Sequence, residues 1–164
     1  MDQRNRYHAN MKIDIHKRLH HRSPYLLVDE VLDCDETIIS TRKQISEKDY
    51  FMAGHFPGAP VVPGAMLQEM TTQSAGILIA EHYSPVKDYD SLKTKGHALG
   101  VLTRVHQAKF KGFARLGDEL TIKVILAMRV DNTYRFKASV TSKGAVIMKN
   151  EFTLANLSDQ VLTL

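Results

Sequence analysis

Cysteine occurs once in the chain, as Cys34. No disulfide can therefore form within one chain, and a four-cysteine zinc site is excluded. A lone thiol in an apolar run reads as a small buried side chain. Long hydrophobic runs are also missing. The longest weakly charged stretch, Ala65 to Ala80, falls short of the roughly 20 apolar residues of a membrane-crossing helix, and it carries Gln68, Thr71, Thr72 and Gln73. The first residues, Met1 to His8, are polar and have no apolar centre, so they do not read as a signal peptide, and the expectation is a cytoplasmic protein. There is no glycine-rich phosphate loop and no basic stripe interleaved with aromatics. The net charge of +4 is spread along the chain, which speaks against nucleic acid as a partner. His16 and His20 stand four apart, the spacing of a metal pair on a helix, but no third ligand accompanies them. Both read as surface residues, and neither a metal nor a cofactor is assigned. No repeat, low-complexity tract or linker divides the sequence. It reads as one domain over residues 1–164, with residues 1–10 as a peripheral tail.

What is present is strong patterning. From Asp118 to Val130 the apolar residues Leu120, Ile122, Val124, Leu126, Met128 and Val130 fall on alternate positions, the period of a strand with one buried face. Asp131-Asn132-Thr133 supplies a turn, after which Tyr134, Phe136, Ala138 and Val140 resume the alternation. A second turn at Ser142-Lys143-Gly144 leads to Val146, Met148, Phe152 and Leu154. The pattern predicts a three-stranded antiparallel meander, with Val101 to Phe113 as a further strand feeding it. In the N-terminal half, Tyr25 to Leu32 and Thr37 to Ser46 read as strands around a turn at Asp33 to Glu36. Ala65 to His82 reads as a helix whose apolar residues cover most of its circumference, as a buried helix requires. Tyr83 to His97 reads as a long loop. One buried helix and about six antiparallel strands predict an α+β fold in which the sheet wraps the helix.

Two features carry chemistry. Glu69 is the single charge in the buried stretch, and an ionised carboxylate in a core costs several kcal/mol unless it is paired, neutral or functional. The alternative is that this helix face opens to solvent. Gln73, one turn on, is placed to hold the carboxylate. Ahead of the helix, Gly54-His55-Phe56-Pro57-Gly58-Ala59-Pro60-Val61-Val62-Pro63-Gly64 packs prolines and glycines around one histidine. Such a loop is stiff and specific in shape, suited to aiming an imidazole, although a lone histidine also serves structure. Pro63-Gly64 at the helix start offers free backbone N–H groups and the positive end of the helix dipole to a developing oxyanion.

These residues resemble a known family. Gly54-His55-Phe56-Pro57-Gly58-x-Pro60-x-x-Pro63-Gly64, followed by Glu69 and Gln73, is similar to the 3-hydroxyacyl-acyl carrier protein dehydratases of type II fatty acid synthesis, the FabZ-like hotdog proteins. Leu19-x-His21-Arg22-x-Pro24-Tyr25-Leu26-Leu27-Val28-Asp29 resembles an upstream segment of the same family, and Lys109-Phe110-Lys111 and Gly117-Asp118 resemble its downstream pairs. The resemblance implies a hotdog fold and a hydro-lyase acting on a (3R)-3-hydroxyacyl thioester, giving the trans-2-enoyl product. By the family pattern His55 takes the C2 proton and Glu69 assists the departing hydroxyl. The Gly64 N–H holds the thioester oxygen, and Gln73 positions Glu69.

The resemblance further implies a homodimer with each active site shared between two chains, and a trimer of dimers as the larger form. Phe56, Met66 and Met70 are the candidates for an acyl tunnel, with core packing as their other reading. The substrate rides on acyl carrier protein or coenzyme A. Arg104, Lys109, Lys111 and Arg115 are candidates for docking an acidic carrier. Glu rather than Asp at position 69 matches the branch that only dehydrates. The sequence departs from the family at Gly112-Phe113, Leu116, Met66 and Thr72, which bears on tunnel shape and acyl preference. Two other readings remain open, an acyl-thioester-binding hotdog without turnover and a hotdog thioesterase.

Overall fold

In the computed structural model residues 12–162 are described, so the expected tail at residues 1–10 lies outside them. A short helix α1 (Ile15–Arg18) leads to the hairpin of β1 (Glu30–Cys34) and β2 (Ile38–Gln44). Its turn is built on Asp35, whose side chain accepts the N–H groups of Thr37 at 2.7 Å and Ile38 at 2.8 Å. The long helix α2 (Gly64–His82) follows. Then come β3 (Ala98–Phe110), β4 (Glu119–Val130), β5 (Thr133–Ser142) and β6 (Ala145–Leu157), with a closing 3-10 turn at Asp159–Leu162. The strands form one six-stranded sheet in the order β1-β2-β4-β5-β6-β3. Every pairing in it is antiparallel. Among the described residues no helix is long and apolar enough to cross a membrane.

The alternation in β4, β5 and β6 exists because one face of the sheet lies on α2. Leu120, Ile122, Val124, Phe136, Val140, Met148, Phe152 and Leu154 are fully enclosed there, against Leu67, Met70, Ile77, Leu78 and Ile79 of the helix. Each such side chain contributes roughly 1.5–3 kcal/mol of burial. Polar contacts then set the rotation of the helix. Asn150 Nδ2 of β6 donates to Gln68 Oε1 at 2.8 Å and to Thr71 Oγ1 at 2.7 Å. On the other side the hydroxyls of Thr41 in β2 and Ser74 lie 2.7 Å apart. An amphipathic helix can roll on an apolar sheet, whereas one keyed by buried hydrogen bonds cannot do so without leaving them unsatisfied. The direction in which Glu69 points is fixed in this way.

The helix limits and the meander agree with the sequence pattern, while the bounds of the other strands differ. Strand β1 runs on to Cys34 rather than Leu32, and β2 covers Ile38–Gln44 rather than residues 37–46. The first strand begins at Glu30 rather than Tyr25, because the backbone of residues 25–27 bonds to the Gln73 side chain instead of to a strand. The strand placed at Val101 to Phe113 runs from Ala98 to Phe110. The simple parity also breaks: Met128 and Val130 are more than half exposed and Val146 is 39% exposed, while Ile147 and Met148 are both buried. Register shifts at Leu126/Met128 and Val140/Thr141 turn the strands there, and a one-residue slip exchanges the faces.

Candidate active site

His55 stands on a loop pinned at both ends. At its start, Lys43 and Asp49, each about 7% exposed, form an ion pair at 2.8 Å, and Phe51 and Met52 enter the core. At its end the Val62 N–H donates to the Ala114 carbonyl at 2.9 Å, and Val61 bridges to Arg115. Between these anchors the Ala59 N–H donates back to the Phe56 carbonyl at 3.0 Å, and Gly58 takes a φ of +79°, a conformation that favours glycine. The Val61 N–H donates to the His55 carbonyl at 2.8 Å, and His55 Nδ1 lies 2.9 Å from the Val61 carbonyl oxygen. A carbonyl only accepts, so Nδ1 carries the proton of the neutral ring. Nε2 is left with its lone pair, as a base requires.

Glu69 lies on the first half of α2 with its side chain 15% exposed. Gln73, 1% exposed, donates from Nε2 to Glu69 Oε1 at 2.9 Å and to the Tyr25 carbonyl at 2.8 Å, and its Oε1 accepts the Leu27 N–H at 2.8 Å. The amide is thus locked by backbone, and it aims the carboxyl. Burial pushes the Glu69 carboxyl above its ordinary range, and the Gln73 hydrogen bond offsets part of that. His55 makes no hydrogen bond or ion pair with Glu69 within one chain: its ring bonds Val61, whereas Glu69 faces Gln73 and His21.

At the start of α2, Pro63 is the residue before the first turn, and its carbonyl takes the N–H groups of Met66 and Leu67. The Gly64 N–H takes no partner among the described residues and remains available to a ligand oxygen. The ring of Phe110, at the end of β3, packs on Gly64. Of the three candidate tunnel residues, Phe56 is 56% exposed and stacks on His55 with ring centroids 4.0 Å apart. Met66 is half-buried and receives the Tyr50 hydroxyl on its sulfur at 3.3 Å, and Met70 is wholly enclosed in the core. A cavity of about 290 Å³ flanks the loop between Met52, Phe56, Pro57, Pro60 and Leu116.

Among the basic candidates, Lys109 and Lys111 meet Lys123, Lys137 and Lys149 in a groove of about 560 Å³ on the outer side of the sheet, and Arg104 and Arg115 do not line it. His16 and His20 form no metal cluster among the described residues, and His20 instead pairs with the Tyr89 hydroxyl. Cys34 is half-buried, and burial pushes its thiol up to about 12. The carboxylates of Glu81, Asp35 and Asp33 act in the same direction, and the Cys34 Sγ lies 3.7 Å from His82 Nε2. The position is thus half-buried and polar rather than the buried apolar one expected from the sequence.

Sequence reasoning gives no role to His21. Its Nε2 lies 3.6 Å from Glu69 Oε1 and its ring stacks on Tyr25. The signal was the segment Leu19 to Asp29, which carries part of the resemblance, yet nothing in the spacing ties position 21 to position 69.

Comparison with known proteins follows the same lines. A family model described as a FabA-like domain matches residues 19–151. The 3-hydroxyacyl-acyl-carrier-protein dehydratase FabZ of Petrotoga mobilis is 33% identical over 138 residues, covering 84% of this chain and 91% of that protein. The FabZ of Rickettsia massiliae is 31% identical over 134 residues, covering 81% and 86%. Among solved structures, the dehydratase heterocomplex ApeI:P of Xenorhabdus doucetiae superposes with a TM-score of 0.75 at 18% identity, covering 93% of this chain and 97% of that one. A hypothetical thioesterase with coenzyme A from Streptococcus pneumoniae gives a TM-score of 0.55 at 17% identity, covering 79% and 85%. These likenesses establish the hotdog fold, and with the family match spanning most of its length the chain belongs to the FabA-like family, among the FabZ-like dehydratases.

Proposed function

We propose that this protein removes water from a 3-hydroxyacyl thioester carried on acyl carrier protein, with His55 as base and Glu69 of a second copy as acid. The observation that carries the reading is the Val61 carbonyl on His55 Nδ1, which leaves Nε2 basic at the tip of a rigid loop. Nε2 takes the C2 proton, and the C2 electron pair becomes the C2=C3 double bond as the C3 hydroxyl leaves with the proton of Glu69. Transfer of the proton from the imidazolium to the carboxylate returns the pair to its starting state, so the sum is loss of one water. While charge builds on the thioester oxygen, the Gly64 N–H at the head of α2 donates to it. A carboxyl whose burial favours the protonated form suits the acid role.

A second copy completes the site in this reading. Its support is the edge strand β3, thirteen residues long, which pairs with β6 on one side and with no other strand among the described residues. Leu102, Val105 and Phe110 are exposed along it. A long open edge is a template for a further strand, and here it mixes Leu102, Val105 and Phe110 with Arg104 and Lys109. Pairing β3 with β3 of another copy would join two sheets and bring the His55 loop of one chain toward α2 of the other. The lysine groove is the docking face for an acidic carrier. None of its five lysines makes an ion pair among the described residues.

The test is an assay of purified protein on a 3-hydroxybutyryl thioester, following enoyl absorbance and free thiol together. Rising absorbance that is lost in His55→Ala supports the reading. Release of thiol would show a thioesterase. Ligand-induced stabilisation without either signal would show a binding module.

A further inference from the structure

Glu69 Oε1 faces two nitrogen donors and Oε2 faces none among the described residues. Gln73 Nε2 donates to Oε1 at 2.9 Å. His21 Nε2 approaches the same oxygen at 3.6 Å, a little beyond hydrogen-bond length, a separation that active sites commonly close when substrate arrives. The other ring nitrogen of His21, Nδ1, is buried and has no hydrogen-bond partner among the described residues. Nδ1 lacks a partner in either tautomer, so Nε2 decides: a lone pair there would face the lone pairs of Glu69 Oε1, whereas a proton there faces an acceptor. The ring is kept in place by stacking on Tyr25, with centroids 5.9 Å apart and planes at 23°.

We propose, on the reading that Glu69 is the acid, that His21 is a positioning residue: its Nε2–H, with Gln73, occupies Oε1 and so confines the proton of Glu69 to Oε2, the oxygen turned to the substrate hydroxyl. The groups that act on this pair are known. From α2 itself Gln73 donates to Glu69, and from the segment before β1 come His21 and Tyr25. His20 and Arg22 flank His21 and, after burial, both oppose its protonation, so the ring remains a neutral donor rather than an ion-pair partner that would hold Glu69 as a carboxylate. A neutral donor on Oε1 aids the carboxylate form modestly and leaves the acid competent.

The test compares His21→Phe, His21→Gln and Glu69→Gln in the dehydration direction, with pH profiles of kcat and KM. In His21→Phe, kcat falls about tenfold with KM nearly unchanged, as the acid proton is no longer confined to one oxygen. The basic limb of the kcat profile, which marks loss of the Glu69 proton, moves to higher pH because a donor to the carboxylate is gone. His21→Gln keeps an N–H and restores most of kcat. A His21→Phe profile identical to the parent, with Glu69→Gln inactive, overturns this inference and leaves the function standing. A fully active Glu69→Gln overturns both. ¹⁵N shifts of the imidazole in the unaltered protein give an answer that needs no variant to fold. The Nε2–H tautomer at neutral pH supports the proposal, and the Nδ1–H tautomer or an imidazolium overturns it.

Discussion

Phe110 and Gly64 are in contact so close that a Cβ at position 64 would stand 2.9 Å from Cε1 of the ring, 3.1 Å from Cζ and 3.2 Å from Cδ1. The end of an edge strand therefore covers the first residue of the central helix, whose N–H is assigned to the thioester oxygen. Gly64→Ala would drive the ring away or displace the helix start, since the 2.9 Å contact is one that real Cβ atoms essentially never make. The expected result is a fall in kcat of about 100-fold, the usual cost of misplacing one oxyanion donor. If the ring is the cause, Phe110→Ala in the same chain recovers part of the loss, and a double-mutant cycle measures that coupling.

The Gln73 amide stabilises the fold as well as aiming the carboxyl. Gln73→Leu leaves the Leu27 N–H, in a residue with 0% exposure, without an acceptor. Such a loss costs about 1–3 kcal/mol, seen as a drop of several degrees in Tm. Gln73→Glu retains an acceptor for Leu27 and sets a second carboxylate against Glu69. A carboxylate in so buried a place, facing the Tyr25 carbonyl and Glu69, is costly. That variant should therefore lose kcat at neutral pH and lose Tm as pH rises. It should hold more stability than Gln73→Leu only in acid, where it is protonated and can donate. Thermal melts and steady-state rates on the two variants separate the two functions of the side chain.

These two contacts also show where the sequence is legible. The span of α2 and the alternation of β4 to β6 follow from apolar period, which burial on one face imposes residue by residue. The stiffness of the His55 loop is likewise visible, because proline and glycine act on their own backbone. Gln73 was readable as a neighbour of Glu69 one helical turn away, but not as the partner of Leu27, since a side chain that substitutes for a strand leaves no periodic trace. His21 and Phe110 are distant in sequence from the residues they touch, and Met128, Val130 and Val146 lie beyond bulges that reset parity. Local rules do not reach such contacts.

Carrier docking on the lysine groove has a distinct signature. Lys109 and Lys149 stand directly opposite one another across the β3–β6 pair, a repulsive arrangement that an acidic partner would relieve. Lys109→Glu with Lys149→Glu should lower kcat/KM for carrier-linked substrate by about tenfold or more at low salt, and the deficit should shrink as salt screens the charges. Turnover of a short, uncharged pantetheine thioester should be unaffected. Equal effects on both substrates would place the damage in the active site and remove the docking surface.

Replacing the acid should stabilise the protein while ending its activity. Burial holds the Glu69 carboxyl above its ordinary value, so the folded chain keeps this proton to a higher pH than the unfolded chain does. As pH rises through the unfolded value, about 4.3, the unfolded state loses its proton first, and stability declines until the folded value is passed. Above that point the deficit persists, because an ionised carboxylate then sits in a mostly buried place. Glutamine does not titrate and still accepts from Gln73. Glu69→Gln should therefore match the parent in Tm in strong acid, exceed it increasingly as pH rises from about 4 to the folded value, and keep a constant advantage above that. Melts across that pH range, read beside the loss of dehydration, check the sign. A Tm difference constant with pH from strong acid upward would mean that Glu69 is not held against ionisation by the fold, and its place as the acid would lose its physical basis.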